Sequence, residues 1–331
     1  MVEATSRLIW VLADDRAGNE SQCMGVAEVY GQPHEIKRLS YGRLARLPNP
    51  LLGKAFLGLT PQSRRLLTPP WPDIVIAAGR RTAPVARKIK KLGGGTPFLL
   101  QVMDPGPGGR NEFDLIAVPR HDGHGLAGQN ILPIIAAPHH ITQGRLADAA
   151  AAWQDRFAAY PRPWIGLMVG GSTAQHTFSQ AMARDLGARA AAAAKAAGGS
   201  LLITTSRRTG LAEAALLGAI DCPAFVYRWS DGGDNPYLAI LGLADGLVVT
   251  GESVSMCSEA AASSAPVFVE APPGLISDKH ARFLENLYAG GHARAFDGRF
   301  EPWDHPTLDV AGTIAEALRQ RIDAAAPRSQ A

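Results

Sequence analysis

Short apolar runs rich in β-branched residues alternate with longer segments of helical spacing, and the alternation runs through the chain twice. The first series is "LIWVLA" then "SQCMGVAEVYG", "DIVIAAG" then "TAPVARKIKKLGG", and after these "PFLLQVM", "FDLIAVP" and "NILPII". Such alternation predicts a parallel sheet covered by helices. Near Thr142 the pattern changes to "TQGRLADAAAAWQDRFAAY", an amphipathic helix closed by "PRP", and the series then restarts. The second series is "WIGLMVGG", a helix from about Gln175 to Ala197, "SLLITTS", a helix through Leu217, "AFVYRW", a helix near Tyr237 to Ala244, "GLVVTG", a helix from about Ser255 to Ser263, and "PVFVE". A last amphipathic pattern, "LDVAGTIAEALRQRI", reads as one helix whose docking side is open. A chain of 331 residues, 46% hydrophobic, is long enough for two cores. The expected architecture is α/β, with two doubly wound Rossmann-like domains facing a cleft. Residues 1–143 form the first domain, 144–160 a linker helix, 161–306 the second domain and 307–331 the C-terminal helix.

Charge and cysteine usage exclude several function classes. The net charge is only +3, and the one dense basic run, "RKIKK" at Arg87 to Lys91, fits the solvated face of a helix, so no nucleic-acid partner is expected. Cys23, Cys222 and Cys257 are scattered without a CxxC pair, which argues against structural zinc and disulfides and for a reducing compartment. The start, "MVEATSRLIWVLADD", lacks the longer apolar core of a signal peptide, and no run approaches the ~18 apolar residues of a membrane span. A cytoplasmic protein is expected, with peripheral attachment to an inner membrane surface compatible with the composition.

Ligands of doubly wound folds sit beyond the carboxyl ends of the strands, so the loops there carry the functional question. Three in the second domain are unusually polar. In "VGGSTAQH", Gly170 and Gly171 allow close backbone approach, while Ser172 and Thr173 either cap the next helix or donate to a ligand oxygen. In "TTSRRTG", Ser206 and its neighbouring hydroxyls surround Arg207 and Arg208, whose guanidinium forks match a diphosphate or are simply solvated. In "VVTGESVSMCSEAAA", a helix beginning at Ser253 to Ser255 leaves its first N–H groups, Val254 among them, without partners at the positive dipole end, which suits phosphate. Glu259 lies one turn beyond Ser255 on the same face and suits the hydroxyls of a ribose diol; alternatively Ser253 or Ser255 caps the helix while Glu252 or Glu259 complements its dipole.

The pair "VGGST" and "VTGESVSMCSEAAASSAPVFV" resembles the donor half of two-domain glycosyltransferases of the B fold, such as the peptidoglycan N-acetylglucosaminyltransferase. Over nearly the whole chain, "WVLADDRAGNESQ", "VIAAGRRTAPVAR", "QVMDP", "FDLIAVPRHDG", "TTSRRT" and "DGGDNPY", together with those two segments, are similar to the "elongate mitochondria" family of bacterial and plant proteins, known as mitochondrial-fission proteins or glycosyltransferases. The resemblance implies transfer of a sugar from a nucleotide-diphosphate donor to an acceptor it does not identify. No cofactor and no metal are expected, since no "DxD" stretch is present and helix ends and arginines do that job in the B fold. It equally admits a nucleotide-binding adaptor of the fission type without catalysis, or a nucleotide-sugar epimerase.

The same resemblance assigns Asn235 and Asp234, in the loop before the Tyr237 helix, to base or sugar groups; an Asx turn followed by Pro236 is the structural alternative. It makes the first domain the acceptor half, with Asp14, Arg16, Asn19, Arg80, Arg81 and Thr82 facing the cleft. Asp14 is the first choice of general base, with Asp104 and His121 as alternatives. Family members commonly carry histidine where this chain has Asn19, so an imidazole base at that position is absent here. His121 and His124 in "HDGH" lack the further spacing of a metal site.

Overall fold

The computed structural model describes residues 7–122 and 126–325. The chain divides into two compact units: Met1–His140 together with Asp309–Ala331, and Ile141–Leu308. In chain order the first unit contains β1 (Ile9–Ala13), α1 (Ala17–Tyr30), β2 (His34–Arg38), α2 (Asn49–Leu52), α3 (Pro61–Arg65), β3 (Ile74–Ala78), α4 (Ala83–Leu92), β4 (Phe98–Val102), β5 (Leu115–Pro119) and β6 (Ile131–Ile134). The second contains α5 (Gln143–Phe157), β7 (Trp164–Val169), α6 (Gln180–Ala196), β8 (Ser200–Thr205), α7 (Glu213–Leu217), β9 (Ala224–Tyr227), α8 (Tyr237–Leu243), β10 (Gly246–Thr250), α9 (Val254–Ala261), β11 (Val267–Glu270), α10 (Asp278–Ala289) and β12 (Arg294–Ala295). A final helix, α11 (Val310–Ala325), returns to the first unit.

Each unit is built on a six-stranded parallel sheet, in the order β2-β1-β3-β4-β5-β6 and β12-β11-β10-β7-β8-β9. The central strands β1, β3, β5, β7, β8 and β10 are buried along their whole length, as strands covered by helices on both faces must be. Both sheets therefore match the doubly wound expectation. In both, the strand order reverses beside the first strand: between β1 and β3, and between β7 and β10. Right-handed crossovers send the following helices to opposite faces there, which opens a crevice at the carboxyl edge.

Several elements differ from the sequence pattern. Strand β2, "HEIKR", is an edge strand with three charged residues and so shows no apolar run; Lys37 lies over the Trp10 ring, 4.3 Å from its centroid. Helix α10 is opened by a capping box of Ser277 and His280 and buries Phe283, Leu284 and Leu287. The segment set apart as a linker, 144–160, is part of the second unit's core. Its helix buries Leu146, Trp153 and Phe157, and Phe157 meets Phe225 and Trp164 edge-on at 5.1 and 5.9 Å. Such aromatic contacts contribute ~0.5–1.5 kcal/mol each beyond area burial, enough to fix the helix rather than leave it bridging. In α4 the basic run is not a fully solvated face: Arg87 turns inward to Glu112 at 2.6 Å and Lys90 pairs with Asp114 at 2.6 Å.

Helix α11 packs on α1. Arg319 Nη2 donates to the Val29 and Tyr30 carbonyls at 2.8 and 3.1 Å, satisfying acceptors that the end of α1 leaves without helical partners. Ile314 and Leu318 are fully buried.

Candidate functional site

In the second unit, the loops after β10, β7 and β8 meet at the reversal of strand order. Gly170 N–H donates to Thr250 Oγ1 at 2.8 Å, and Gly171 N–H donates to Glu252 Oε1 at 2.6 Å, so the β7 loop is tied to the β10 loop. On its other side, the Gly170 carbonyl accepts from the Ser206 hydroxyl and from Thr209 Oγ1 at 2.6 Å, while Ser172 N–H donates to the Arg208 carbonyl at 3.0 Å. Both glycines are required by this packing. A Cβ on Gly170 would lie 1.9 Å from Glu252 Oε1, and one on Gly171, whose φ is +140°, would lie 2.2 Å from the Arg208 carbonyl oxygen. Their N–H groups are thus spent on the β10 loop rather than presented to a ligand.

The β7 loop runs irregularly to Ser179, which caps α6 by accepting from Met182 N–H at 3.2 Å. Ser172 and Thr173 therefore do not open a helix. Ser172 Oγ accepts from Phe178 N–H at 3.0 Å and Thr173 Oγ1 from His176 N–H at 3.1 Å, which closes a turn that the alternation of apolar runs cannot display.

The start of α9 follows the expected form more closely. Ser253 is the N-cap, accepting from Met256 N–H, and the N–H groups of Val254 and Ser255 stand at the positions a helix leaves without internal acceptors. Ser255 is exposed. Arg208 reaches toward this turn, with Nη2 3.4 Å from Glu252 Oε1, and Arg207 is exposed. Glu259, half-buried one turn further on, accepts a short hydrogen bond from the Tyr237 hydroxyl; burial pushes its carboxyl up to about 7, against the lowering effect of that bond. Asn235 Oδ1 accepts from Tyr237 N–H at 3.0 Å, an Asx turn that leaves its amide group outward.

Two residues at this edge carry no sequence signal that separates them from ordinary loop residues. Glu252 has a fully buried side chain; Oε2 has no hydrogen-bond partner among the described residues. Burial pushes its carboxyl up, offset by the Gly171 N–H and the Arg208 charge. Trp229, 60% exposed, stands at the start of the loop after β9 and offers a bare aromatic face. A glutamate after Gly251 could have been marked only by noticing that two consecutive glycines elsewhere need a partner too close for a Cβ.

A folded value above the unfolded one means that ionising Glu252 opposes folding as pH rises. Glu252→Gln, which keeps an acceptor for Gly171 N–H, is expected to melt at or above the wild-type temperature near about pH 8 and to converge with it near about pH 4. Glu252→Ala, which strands that N–H, should cost roughly 1–3 kcal/mol at either pH. Thermal melts of both variants check this, and a Gln variant as unstable as the Ala variant would contradict it.

In the first unit, the reversal point holds an ion cluster. Asp14 is buried at the end of β1: Oδ1 accepts from Arg16 N–H at 3.0 Å and Asn19 Nδ2 at 3.1 Å, and Oδ2 lies 3.3 Å from Arg81. Arg81 also pairs closely with the exposed Asp15, whose carboxyl its hydrogen bond holds below the usual range, and lies over the Tyr41 ring. Asn19 serves Asp14, and Arg16 is exposed. Two residues expected to face a ligand are committed elsewhere. The Thr82 hydroxyl donates inward to the Ala78 carbonyl at 2.7 Å, and Arg80 donates to the carbonyls of Leu47 and Ala45 at 2.7 and 2.8 Å. Asp104 accepts from Arg110 through both oxygens at 2.8 and 2.6 Å, which holds its carboxyl low. His121 is buried, with Nε2 3.9 Å from Asp122; His124 lies outside the described residues. Among the described residues no group of three or more His, Cys, Asp or Glu is placed to hold a metal ion.

A sequence profile described as Mitochondrial fission ELM1 matches residues 17–322. The chain belongs to the mitochondrial fission ELM1 family. Protein RP120 of Rickettsia prowazekii (strain Madrid E) is 28% identical over 350 aligned positions, covering 94% of this chain and 97% of that protein. The mitochondrial fission protein ELM1 of Arabidopsis thaliana is 28% identical over 81% of this chain and 68% of its own. Among solved structures, the fold is similar to UDP-GlcNAc 2-epimerase of Methanocaldococcus jannaschii in complex with UDP-GlcNAc and UDP, with TM-score 0.53, 11% identity and 96% and 99% of the two chains covered. It is also similar to AviGT4, a glycosyltransferase involved in avilamycin A biosynthesis, with TM-score 0.51, 15% identity and 96% and 98% covered. At these identities the likeness is one of fold: this member of the family shares the architecture of B-fold glycosyltransferases and epimerases, with two Rossmann-like domains. No described helix is long and apolar enough to cross a membrane.

Proposed function

We propose that the second unit binds a nucleoside diphosphate sugar and that the protein is a metal-independent glycosyltransferase. One observation carries the reading: the polar loops after β7, β8 and β10 converge at the reversal of strand order, with Arg208 beside the start of α9 and Glu259 on that helix's next turn. The N–H groups of Val254 and Ser255, the Ser255 hydroxyl and Arg208 receive the diphosphate, and Arg207 adds charge. Arg208 is shared between the diphosphate and Glu252, whose raised carboxyl lessens the repulsion a buried carboxylate would exert. Glu259 accepts from the ribose hydroxyls, and Trp229 or the amide of Asn235 meets the base. Gly170, Gly171, Ser172, Thr173, Ser206 and Ser253 act indirectly, by holding the three loops in register. A leaving diphosphate held by fixed dipoles and a guanidinium needs no metal. On the acceptor side we keep Asp14 as the base, at the first unit's reversal point.

A second reading, a nucleotide-binding adaptor without catalysis, is favoured by one observation: each base candidate is already engaged or buried, Asp14 by Asn19 and Arg81, Asp104 by Arg110, and His121 in the interior.

Calorimetric titration with uridine, guanosine, adenosine and cytidine diphosphates and their sugars tests the shared part. One nucleotide is expected to bind and to raise the melting temperature; absence of any response discards both readings. Release of nucleoside diphosphate in the presence of acceptor mixtures then separates them: transfer that falls at least tenfold in Asp14→Asn at unchanged nucleotide affinity supports the enzyme, and binding with no turnover supports the adaptor.

A further inference from the structure

Between β2 and β3 the first unit carries a long segment outside the sheet. From Leu39 to Pro72 it contains no Asp or Glu, against five cations: Arg43, Arg46, Lys54, Arg64 and Arg65. It also holds five of the eight exposed large apolar side chains among the described residues: Leu44, Leu47, Leu51, Leu57 and Leu66, the largest exposure being 69% at Leu51. Scattered exposed leucines are ordinary, but their concentration in one acid-free stretch is not.

The exposure belongs to an ordered surface. Leu39, Ala45, Leu52, Leu59 and Leu67 of the same segment are buried, so its apolar residues are sorted into an inner and an outer set. The backbone is pinned from below by the Arg80 bonds to Ala45 and Leu47, by Asn49 Nδ2 donating to the Pro105 carbonyl at 2.6 Å, and by Arg87 donating to the Gly53 carbonyl at 3.2 Å. Part of the outer set is drawn together by local structure. Leu44 and Leu47 are three apart across a 3₁₀ turn, Gly58 packs against Ala45 of that turn, and Arg64 donates to the Leu57 carbonyl at 3.2 Å, which brings α3 and Leu66 alongside. Arg43, Arg46 and Arg65 are exposed, and none has an ion-pair partner among the described residues.

Outward leucines interspersed along the segment with exposed, unpaired arginines complement one kind of surface. A second copy would set arginine against arginine, and a neutral apolar groove would leave those charges unsatisfied. An anionic lipid surface satisfies both, because leucines enter the acyl boundary while guanidiniums meet headgroup phosphates. We infer that this segment is the docking face by which the protein binds an anionic membrane from one side.

The full chain is to be sedimented with sucrose-loaded vesicles of phosphatidylcholine alone, and of two parts phosphatidylcholine to one part phosphatidylglycerol. Binding is expected to the anionic vesicles only, and to weaken with salt. The variant Arg43→Glu/Arg46→Glu/Arg65→Glu should partition about a hundredfold more weakly, and Leu44→Ser/Leu47→Ser/Leu51→Ser at least tenfold more weakly, each with the wild-type melting temperature. Failure to bind the anionic vesicles, or binding that neither variant weakens, overturns the inference. Equal binding to both vesicle types removes the role of the arginines, and binding indifferent to the leucines removes insertion. A concentration-dependent dimer that the leucine variant dissolves, without vesicle binding, reassigns the face to a second copy.

Discussion

Gly171→Ala is expected to cost the second unit roughly 3 kcal/mol or more and to abolish nucleotide diphosphate binding. The added methyl would stand 2.2, 2.3 and 2.5 Å from the Arg208 carbonyl oxygen and carbon and the Thr209 nitrogen, all backbone atoms. A φ of +140° is also open to few residues other than glycine. The neighbouring loop cannot retreat cheaply, because the Arg208 carbonyl accepts from Ser172 N–H and Thr209 Oγ1 donates to the Gly170 carbonyl. Displacing it would carry Arg208 away from the start of α9, so stability and binding should fall together. Gly18→Ala, in α1 with nothing within 4 Å of the added methyl, is the matched control and should change stability by less than about 1 kcal/mol. Denaturant unfolding and nucleotide titration measure both effects. A Gly171→Ala protein with wild-type midpoint and affinity would mean that the close packing of these loops matters little.

The second large effect concerns Glu259. With its carboxyl pushed up to about 7 from an ordinary 4.5, the free protein at neutral pH carries a mixture of the two forms. Hydroxyls of a diol donate to the ionised form, so binding lowers the carboxyl's value and expels a proton. Affinity should therefore rise as pH increases through about 7. The contribution to folding has the opposite sign: a raised folded value means ionisation opposes folding, so the free protein loses stability over the interval in which it gains affinity. Calorimetry in two buffers of different ionisation enthalpy reads the proton directly. Because a diphosphate also titrates, the decisive quantity is the difference between wild type and Glu259→Gln, which should vanish if the glutamate is uninvolved. Glu259→Ala is expected to weaken nucleotide binding by about 10- to 100-fold, the usual worth of hydrogen bonds to a charged group.

The doubly wound plan is legible because buried parallel strands leave continuous apolar runs, as in "DIVIAAG" and "GLVVTG". Where a strand lies at an edge that signal disappears, which is why β2, with His34, Glu35 and Lys37, cannot be told from a loop. The candidate site is legible to the extent that one helix start carries it. The spacing of Ser253, Ser255 and Glu259 follows from helical geometry within a single element. Contacts across loops do not. Glu252 reaching Gly171, Thr209 reaching Gly170 and Arg81 joining Asp14 to Asp15 depend on strand order, and strand order is set by the packing of elements far apart in the chain. Asp14 shows the consequence: the sequence displays a carboxylate after a strand but not the partners its oxygens take in the folded unit, Arg16, Asn19 and Arg81.

Helix α11 completes the first unit only after the whole of the second unit has intervened in the chain. Ile314 and Leu318 have no solvent exposure, and Arg319 satisfies the end of α1, so the N-terminal half of the chain has an unfinished face until the ribosome has passed residue 318. The second unit, a continuous stretch, has all of its own parts by Leu308. Synthesis therefore reverses the usual order, in which the domain begun first is also completed first. Until α11 docks, the side of α1 that it covers stays open to solvent.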